Sequence, residues 1–147
     1  MKRRIIAGLM IVLVVTLWTG LHSGLAAQRE DDAIEPQYTY VMRIGTDLSM
    51  ENGTVRCYGV GRSRYAETET VVRVTLQKRV IGTTKWFKVC SWSSSESGVK
   101  SAVIDERETI SRGYDYRVYV SCTIRDSEGV IKETAGKYST TISYPHS

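Results

Sequence analysis

Apolar and polar residues alternate with a period of two along most of the chain after residue 36. The clearest case is the segment 113–122, where every second position is apolar: Tyr114, Tyr116, Val118, Val120 and Cys122. This period is typical of a β-strand with one buried face. Because no segment has a persuasive apolar period of 3.6, the pattern predicts an all-β protein.

Six further strand-like runs are separated by short segments rich in turn-forming residues. They lie at 38–44, 54–60, 71–76, 85–90 and 102–104, with a last one that ends at Tyr144. Segment 45–53 is interpreted as a turn, and Gly59 and Gly61 as marking a bulge or bend. About seven strands, labelled A, B, C, C′, E, F and G, predict one two-layer antiparallel β-sandwich of the immunoglobulin or fibronectin III type. A small closed barrel is the alternative architecture.

The N-terminal segment has the layout of a secretory signal peptide. Three cations, at Lys2, Arg3 and Arg4, precede an apolar run that ends at Leu21, and small residues follow it. The expected organisation is therefore a signal peptide at 1–27, an acidic flexible arm at 28–36 and the sandwich domain at 37–147. The alternative is an uncleaved membrane anchor, because the apolar run is about long enough to span a bilayer.

Removal of this segment changes the charge balance. The whole chain has 20 basic and 16 acidic residues, a net charge of +4. Three of the basic residues and none of the acidic ones lie within 1–27, so 17 basic residues face 16 acidic ones in the remainder. The basic residues that remain form no single stripe, which argues against a nucleic-acid partner.

Four short motifs resemble a known group of proteins. They are Val74-Thr75-Leu76-Gln77-Lys78, Gly82-Thr83-Thr84-Lys85-Trp86, Ser91-Trp92-Ser93 and Gly113-Tyr114-Asp115-Tyr116-Arg117-Val118. In these motifs the chain resembles small secreted proteins of Gram-positive bacteria that have a signal peptide and one β-sandwich. The resemblance implies an exported bacterial protein, and it brings no activity with it.

Candidate catalytic groups are scarce in the predicted domain. Histidine occurs only at positions 22 and 146, so the predicted strands contain no partner for a serine or cysteine nucleophile. The three cysteines are 33 and 32 residues apart, unlike the closely spaced ligands of a zinc site. We therefore predict a protein that is not an enzyme and has neither a cofactor nor a metal site.

Aromatic residues are the strongest sign of a binding function. The sequence has nine Tyr and three Trp against one Phe, and Tyr and Trp rings tolerate partial exposure. If the strand is regular, Trp86, Lys88 and Trp92 share one face, and Tyr119 points outward from strand F. These four residues are the candidate binding face. The alternative is that one or both Trp side chains fill the core.

Two cysteines occupy positions that suggest a disulfide. Cys57 falls on strand B and Cys122 on strand F, the strands that the inter-sheet bridge joins in immunoglobulin domains. Cys90 would then be the unpaired third thiol. The Trp spacing of immunoglobulin domains is absent, so the sequence leaves open whether Cys57 and Cys122 form a bridge.

The combined expectation is a secreted, non-catalytic β-sandwich that binds an extracellular protein or a cell-wall glycan. It would contact a membrane only through the N-terminal segment before cleavage. The alternatives are a secreted antimicrobial or toxin-like effector, and a membrane-tethered accessory domain with an uncleaved anchor.

Overall fold

Eight β-strands build the structure, a computed structural model that describes residues 36–147. They are β1 (Val41–Glu51), β2 (Thr54–Ser63), β3 (Thr68–Val80), β4 (Phe87–Ser97), β5 (Ser101–Thr109), β6 (Tyr114–Asp126), β7 (Ile131–Tyr138) and β8 (Ile142–Tyr144). The signal peptide predicted at 1–27 and all but the last residue of the arm predicted at 28–36 lie outside the described residues. Among the described residues, no helix has the length and apolarity needed to cross a membrane.

The strands form two antiparallel sheets that enclose the core. The three-stranded sheet has the order β1-β2-β5, and the larger sheet has the order β4-β3-β6-β7, with β8 paired to β6. Inward-facing residues of β2, β3 and β6 provide most of the fully buried side chains, among them Val55, Cys57, Val72, Val74, Leu76, Val118, Val120, Cys122 and Ile124. The predicted all-β antiparallel sandwich is confirmed.

The turn between β1 and β2 is shorter than the sequence suggested. Most of segment 45–53 belongs to β1, and only Asn52 and Gly53 connect the strands, with φ values of 51° and 74°. Two successive positive φ values fit the tight hairpin turn that follows the natural twist of the strands. The turn predicted at 45–53 is therefore confined to the last two of its residues.

Gly59 and Gly61 lie inside a strand of regular register, so the bulge that the sequence offered as one interpretation is wrong. The ladders of β2 to β1 and to β5 have no register shift at either residue. A Cβ added to Gly61 would lie 2.6 Å from both Cys122 Sγ and Val72 Cγ2, and one added to Gly59 would overlap Val74. These glycines are needed because side chains of the opposite sheet press against the β2 backbone.

Tyr116 anchors the segment that precedes β6 by hydrogen bonds to its backbone. Its side chain is buried, and its hydroxyl accepts a hydrogen bond from Ser111 N–H at 3.0 Å and donates one to Ser111 O at 2.9 Å. The sequence predicted that Tyr114 or Tyr116 would reach back to the backbone of 109–112. The structure assigns that role to Tyr116, whose polar group is thereby satisfied inside the core.

The last predicted strand is divided into β7 and β8, which raises the strand count from seven to eight. Both pieces pair with β6, and Ser139 lies between them. Ser139 N–H donates to Val118 O at 2.9 Å, and Ser139 Oγ accepts from Val118 N–H at 2.8 Å. This serine keeps the Val118 backbone hydrogen-bonded where the ladder is interrupted.

Glu133 of β7 holds the start of β1. Its carboxylate accepts hydrogen bonds from the N–H groups of Val41 at 2.6 Å, Tyr40 at 2.8 Å and Thr39 at 2.9 Å. Burial acts to raise the pKa of Glu133, but the three N–H donors outweigh it and the pKa is lowered. A charged carboxylate therefore links the two sheets at this end of the sandwich.

Candidate binding face

The outer face of the larger sheet carries the candidate site. In β6 the residues Tyr116, Val118 and Val120 point into the core, so Arg117 and Tyr119 between them point outward. The register places Gln77 of β3 beside Arg117 and Tyr138 of β7 beside Tyr119. Antiparallel partners share a face, and these side chains therefore lie next to one another.

Trp86 covers part of this face from the connection between β3 and β4. It precedes β4, which begins at Phe87, and it is half-buried. The guanidinium carbons of Arg79 and Arg117 lie 4.7 and 4.1 Å from its ring centre. Both distances are well within the range of a cation–π interaction, so two positive charges hold the indole against the sheet.

Arg117 also contacts a second aromatic ring. Its guanidinium carbon is 4.2 Å from the ring centre of Tyr138, and its Nε–H donates to Gln77 Oε1 at 2.8 Å. The Tyr138 ring centre lies 4.6 Å from that of Tyr119. We call the five residues that are stacked in this way the arginine–aromatic cluster: Arg79, Trp86, Arg117, Tyr119 and Tyr138.

A glycine allows Tyr119 to lie flat across β7. A Cβ added to Gly136 would overlap the Tyr119 hydroxyl and would lie 2.8 Å from its Cζ. Tyr119 is therefore half-buried between Gly136 and the Tyr138 ring, whereas Tyr138 itself is 51% exposed. The cluster thus has a fixed inner part and an accessible aromatic edge.

Asp115 anchors the other end of the cluster. Its carboxylate accepts a hydrogen bond from Arg79 Nε–H at 2.9 Å and another from the Ser143 hydroxyl, and it is buried. The hydrogen bond from Ser143 lowers the pKa of Asp115, burial acts to raise it, and Arg79 lowers it further. The net pKa is lowered, so Asp115 is an anion that fixes Arg79 beneath Trp86.

The structure brings together only part of the predicted binding face. Trp86 and Tyr119 belong to the arginine–aromatic cluster, and Lys88 is exposed on the same outer face, because it pairs with the outward Gln77. Trp92 instead pairs with the buried Val74 and packs against the core. The prediction that Trp92 belongs to the binding face is therefore wrong.

A register shift explains why Trp86 and Trp92 do not share a face. Leu76 pairs with Cys90 and Gln77 pairs with Lys88, so Val89 is an extra residue in β4. One extra residue reverses the side-chain alternation on either side of it. Trp86 also lies before the strand begins, where the period of two does not apply.

Sequence reasoning missed three members of the cluster: Arg79, Arg117 and Tyr138. For Arg117 the signal was present, since the alternation that points Tyr119 outward points Arg117 outward as well. Arg79 also alternates with the buried Val74 and Leu76 of its strand. Nothing in the sequence indicated that Tyr138 would meet Arg117, because that contact depends on the register of β7 against β6.

The packing of the two sheets does not support the disulfide suggested for Cys57 and Cys122. Gly61, not Cys57, lies opposite Cys122, and four residues of an extended strand separate Gly61 from Cys57 by about 13 Å. A disulfide needs Cα atoms within about 7 Å of each other. Both cysteines are free and buried, and burial is the main reason that their pKa values rise to about 12 for Cys57 and about 11 for Cys122.

Cys90 is a free thiol at the rim of the core. Its Sγ lies 3.9 Å from Glu108 Oε2, and burial together with that carboxylate raises its pKa to about 11. No Cα of β2 lies within 8 Å of a Cα of β4, so Cys90 is too far from Cys57 for a bridge. The three thiols are protonated side chains of the folded domain.

Comparisons with known proteins add little to this description. No family model matches the sequence, and no curated protein matches it. One solved structure, wild-type OgpA from Akkermansia muciniphila, is similar at 15% sequence identity with a TM-score of 0.39. The likeness covers 75% of this chain and 30% of that chain, and at this level it carries no argument about function.

Proposed function

We propose that the domain at 37–147 is a non-catalytic binding module that acts outside the cell. It uses the outer face of the larger sheet, around the arginine–aromatic cluster, to contact an extracellular protein or a cell-wall glycan. The observation that carries this proposal is the stack in which the Arg117 guanidinium lies between the rings of Trp86 and Tyr138. Aromatic rings and arginine are the side chains most enriched where proteins bind other molecules.

The charge of this face supports a binding role. Its outward-facing cations are Arg73, Arg79, Lys88, Arg117 and Arg125, and its carboxylates are Glu69 and Asp115. Asp115 is already neutralised by Arg79, so the accessible part of the face is basic. A face of one sign attracts partners of the opposite sign over several ångströms.

The proposal also assigns the sandwich to the immunoglobulin-like class, in its fibronectin III-like form. Support comes from the sheet order β1-β2-β5 opposite β4-β3-β6-β7 and from Tyr116, whose hydroxyl bonds to backbone just upstream of β6. A tyrosine in this position is a recurrent feature of such sandwiches. Many cell-surface domains share this sandwich architecture, which agrees with a location outside the cell.

Export is the second half of the proposal, and it rests on the cations, apolar run and small residues of segment 1–27. Mass spectrometry of the culture supernatant is expected to find a mature chain that begins at Ala27 or Gln28. Recovery of the full-length chain from membranes alone would contradict cleavage and favour the tethered alternative.

The binding role is tested by capture of partners from cell-wall fractions and culture proteins. Two variants alter the proposed face at exposed residues, Lys88→Glu and Tyr138→Ala, and Arg107→Gln on the opposite sheet is the matched control. We expect the face variants to lose the captured material and the control to retain it. Equal capture by all three would overturn the proposed binding face.

A further inference from the structure

Arg117 is held in one orientation before any ligand arrives. The Trp86 and Tyr138 rings lie at 4.1 and 4.2 Å from its guanidinium carbon, and Gln77 accepts its Nε–H at 2.8 Å. A side chain fixed in this way has already lost most of its rotational freedom. The entropic cost of ordering it on binding is therefore small.

The two terminal nitrogens of Arg117 remain available. Within residues 36–147, its guanidinium donates a hydrogen bond only through Nε, to Gln77. The neighbouring Arg79, by contrast, is engaged by the Asp115 carboxylate. The paired N–H groups along the free edge of a guanidinium match the two oxygens of a carboxylate. Within the described part of the chain, Arg117 thus has a fixed orientation and unpaired terminal N–H groups, the two properties that recognition of a carboxylate requires.

The surroundings of Arg117 fit a sugar ring better than a peptide. Tyr138 is 51% exposed, and the part of its ring that Arg117 and Tyr119 leave uncovered is apolar surface against which the C–H groups of a pyranose ring can pack. The neighbouring outward positions carry hydroxyl groups, with Thr75 beside Tyr119 and Ser91 beside Thr75. Hydroxyl side chains both donate and accept hydrogen bonds, as sugar hydroxyls require.

We propose that this site binds saccharides that carry a carboxylate, with Arg117 taking the carboxylate and Tyr138 packing against the sugar ring. This inference rests on the proposed use of the outer face of the larger sheet as the binding face, and it names the ligand class. Lys88, which pairs with Gln77 on the same face, adds positive charge that favours acidic over neutral glycans.

Calorimetric titration of the full chain in mild detergent with oligomers of galacturonic acid tests the ligand class. Oligomers of galactose keep the same ring without the carboxylate, and we expect them to bind at least about tenfold more weakly, because they lack a bidentate charged contact. A glutamate-rich peptide and inorganic phosphate should also bind more weakly. Absence of galacturonate binding would overturn the proposal, as would equal binding of any comparator.

Substitutions test the role of Arg117 itself. Arg117→Lys keeps the charge but loses the planar fork, and we expect galacturonate affinity to fall about tenfold or more. Tyr138→Ala removes the packing surface and provides a second test, since its exposed position should spare the fold. The control Arg107→Gln removes one charge from the opposite face and should change the affinity less than about twofold. Unchanged affinity in folded Arg117→Lys or Tyr138→Ala protein would reject the site.

The two proposals fail in different ways. If the binding face is right and the saccharide is wrong, the face variants still lose captured material while galacturonate fails to bind. If the binding face is wrong, the Lys88→Glu and Tyr138→Ala variants capture the same material as the control.

Discussion

Each of the two sheets has an arginine–aspartate pair on its outer face, and the two pairs lie in different environments. Arg56 Nε–H donates to Asp105 at 2.6 Å on the three-stranded sheet, where the two side chains are 42% and 45% exposed. Arg79 Nε–H donates to Asp115 at 2.9 Å on the larger sheet, where the side chains are 31% and 8% exposed. The chemistry is the same, but the second pair is less exposed to water and its carboxylate is buried.

Aromatic residues account for the difference. Trp86 covers Arg79 at 4.7 Å, whereas on the smaller sheet the Tyr58 ring centre is 5.8 Å from Arg56, near the limit of a cation–π contact. The smaller sheet's outward charges are also nearly balanced, with Arg43, Arg56, Arg62 and Arg107 against Asp47, Glu51 and Asp105. The comparison shows that aromatic rings packed over arginine side chains hold these side chains in place and reduce their contact with water.

The largest expected effect is the loss of Asp115. We expect Asp115→Ala to lower the free energy of unfolding by about 2–4 kcal/mol, because it leaves Arg79 without a partner under Trp86 and removes a hydrogen bond from Ser143. Asp105→Ala should change stability little, since water replaces the lost partner. Urea unfolding of both variants measures the difference. Equal losses would show that the two pairs are not distinct.

Removal of the indole should have the next largest effect. Trp86→Ala is expected to cost about 1–2 kcal/mol, because two cation–π contacts and the packing of the arginine stems are lost together. On the other sheet, Tyr58→Ala should cost less than about 0.5 kcal/mol. Thermal unfolding provides the measurement, with Trp86→Leu as a control that keeps apolar cover without the ring. If Trp86→Leu were as stable as the wild type, the cation–π contacts would contribute nothing.

Acid should remove the stabilisation that the buried carboxylate of Asp115 provides to the larger sheet. The pKa of Asp115 is lowered from its ordinary value of 3.8, so the unfolded chain takes up the proton first as the pH falls. The stabilisation is therefore complete above that ordinary value and is lost as the pH falls through the lowered one. Asp115→Asn should flatten the dependence of stability on pH between about pH 5 and about pH 2. If the stability of Asp115→Asn fell in acid as steeply as that of the wild type, Asp115 would not be a source of the pH dependence.

The smallest effect concerns salt. The pKa of Asp105 is also lowered, first by its hydrogen bond with Arg56, but the pair is open to solvent. A double-mutant cycle on Arg56 and Asp105 should give a coupling that vanishes at about 1 M salt, where screening acts over about 3 Å. The same cycle on Arg79 and Asp115 should retain its coupling. If salt abolished both couplings, the Arg79–Asp115 pair would be as open to screening by solvent as the Arg56–Asp105 pair.

The sequence by itself determined the class of fold and, where the alternation is uninterrupted, the orientation of strand residues. The burial alternation in β6 is strict from Tyr116 to Ile124, and the sequence correctly predicted that Tyr116 and Val118 are buried and that Tyr119 points outward. It also predicted that Tyr114 or Tyr116 would reach the backbone of 109–112, and Tyr116 does so. Such features depend on residues close together in the chain, where a period of two is maintained.

Only the tertiary structure decided which residues meet. The extra residue Val89 reverses the side-chain alternation in β4, so Trp92 faces the core and does not belong to the predicted binding face. The packing of the two sheets placed Gly61 opposite Cys122 and left Cys57 four residues away along β2, too far for a bridge. Arg117 became a candidate site because Trp86, before β4, and Tyr138, in β7, both reach its guanidinium. These contacts depend on strand register and sheet packing, which join positions distant in the chain and leave no local pattern in the sequence.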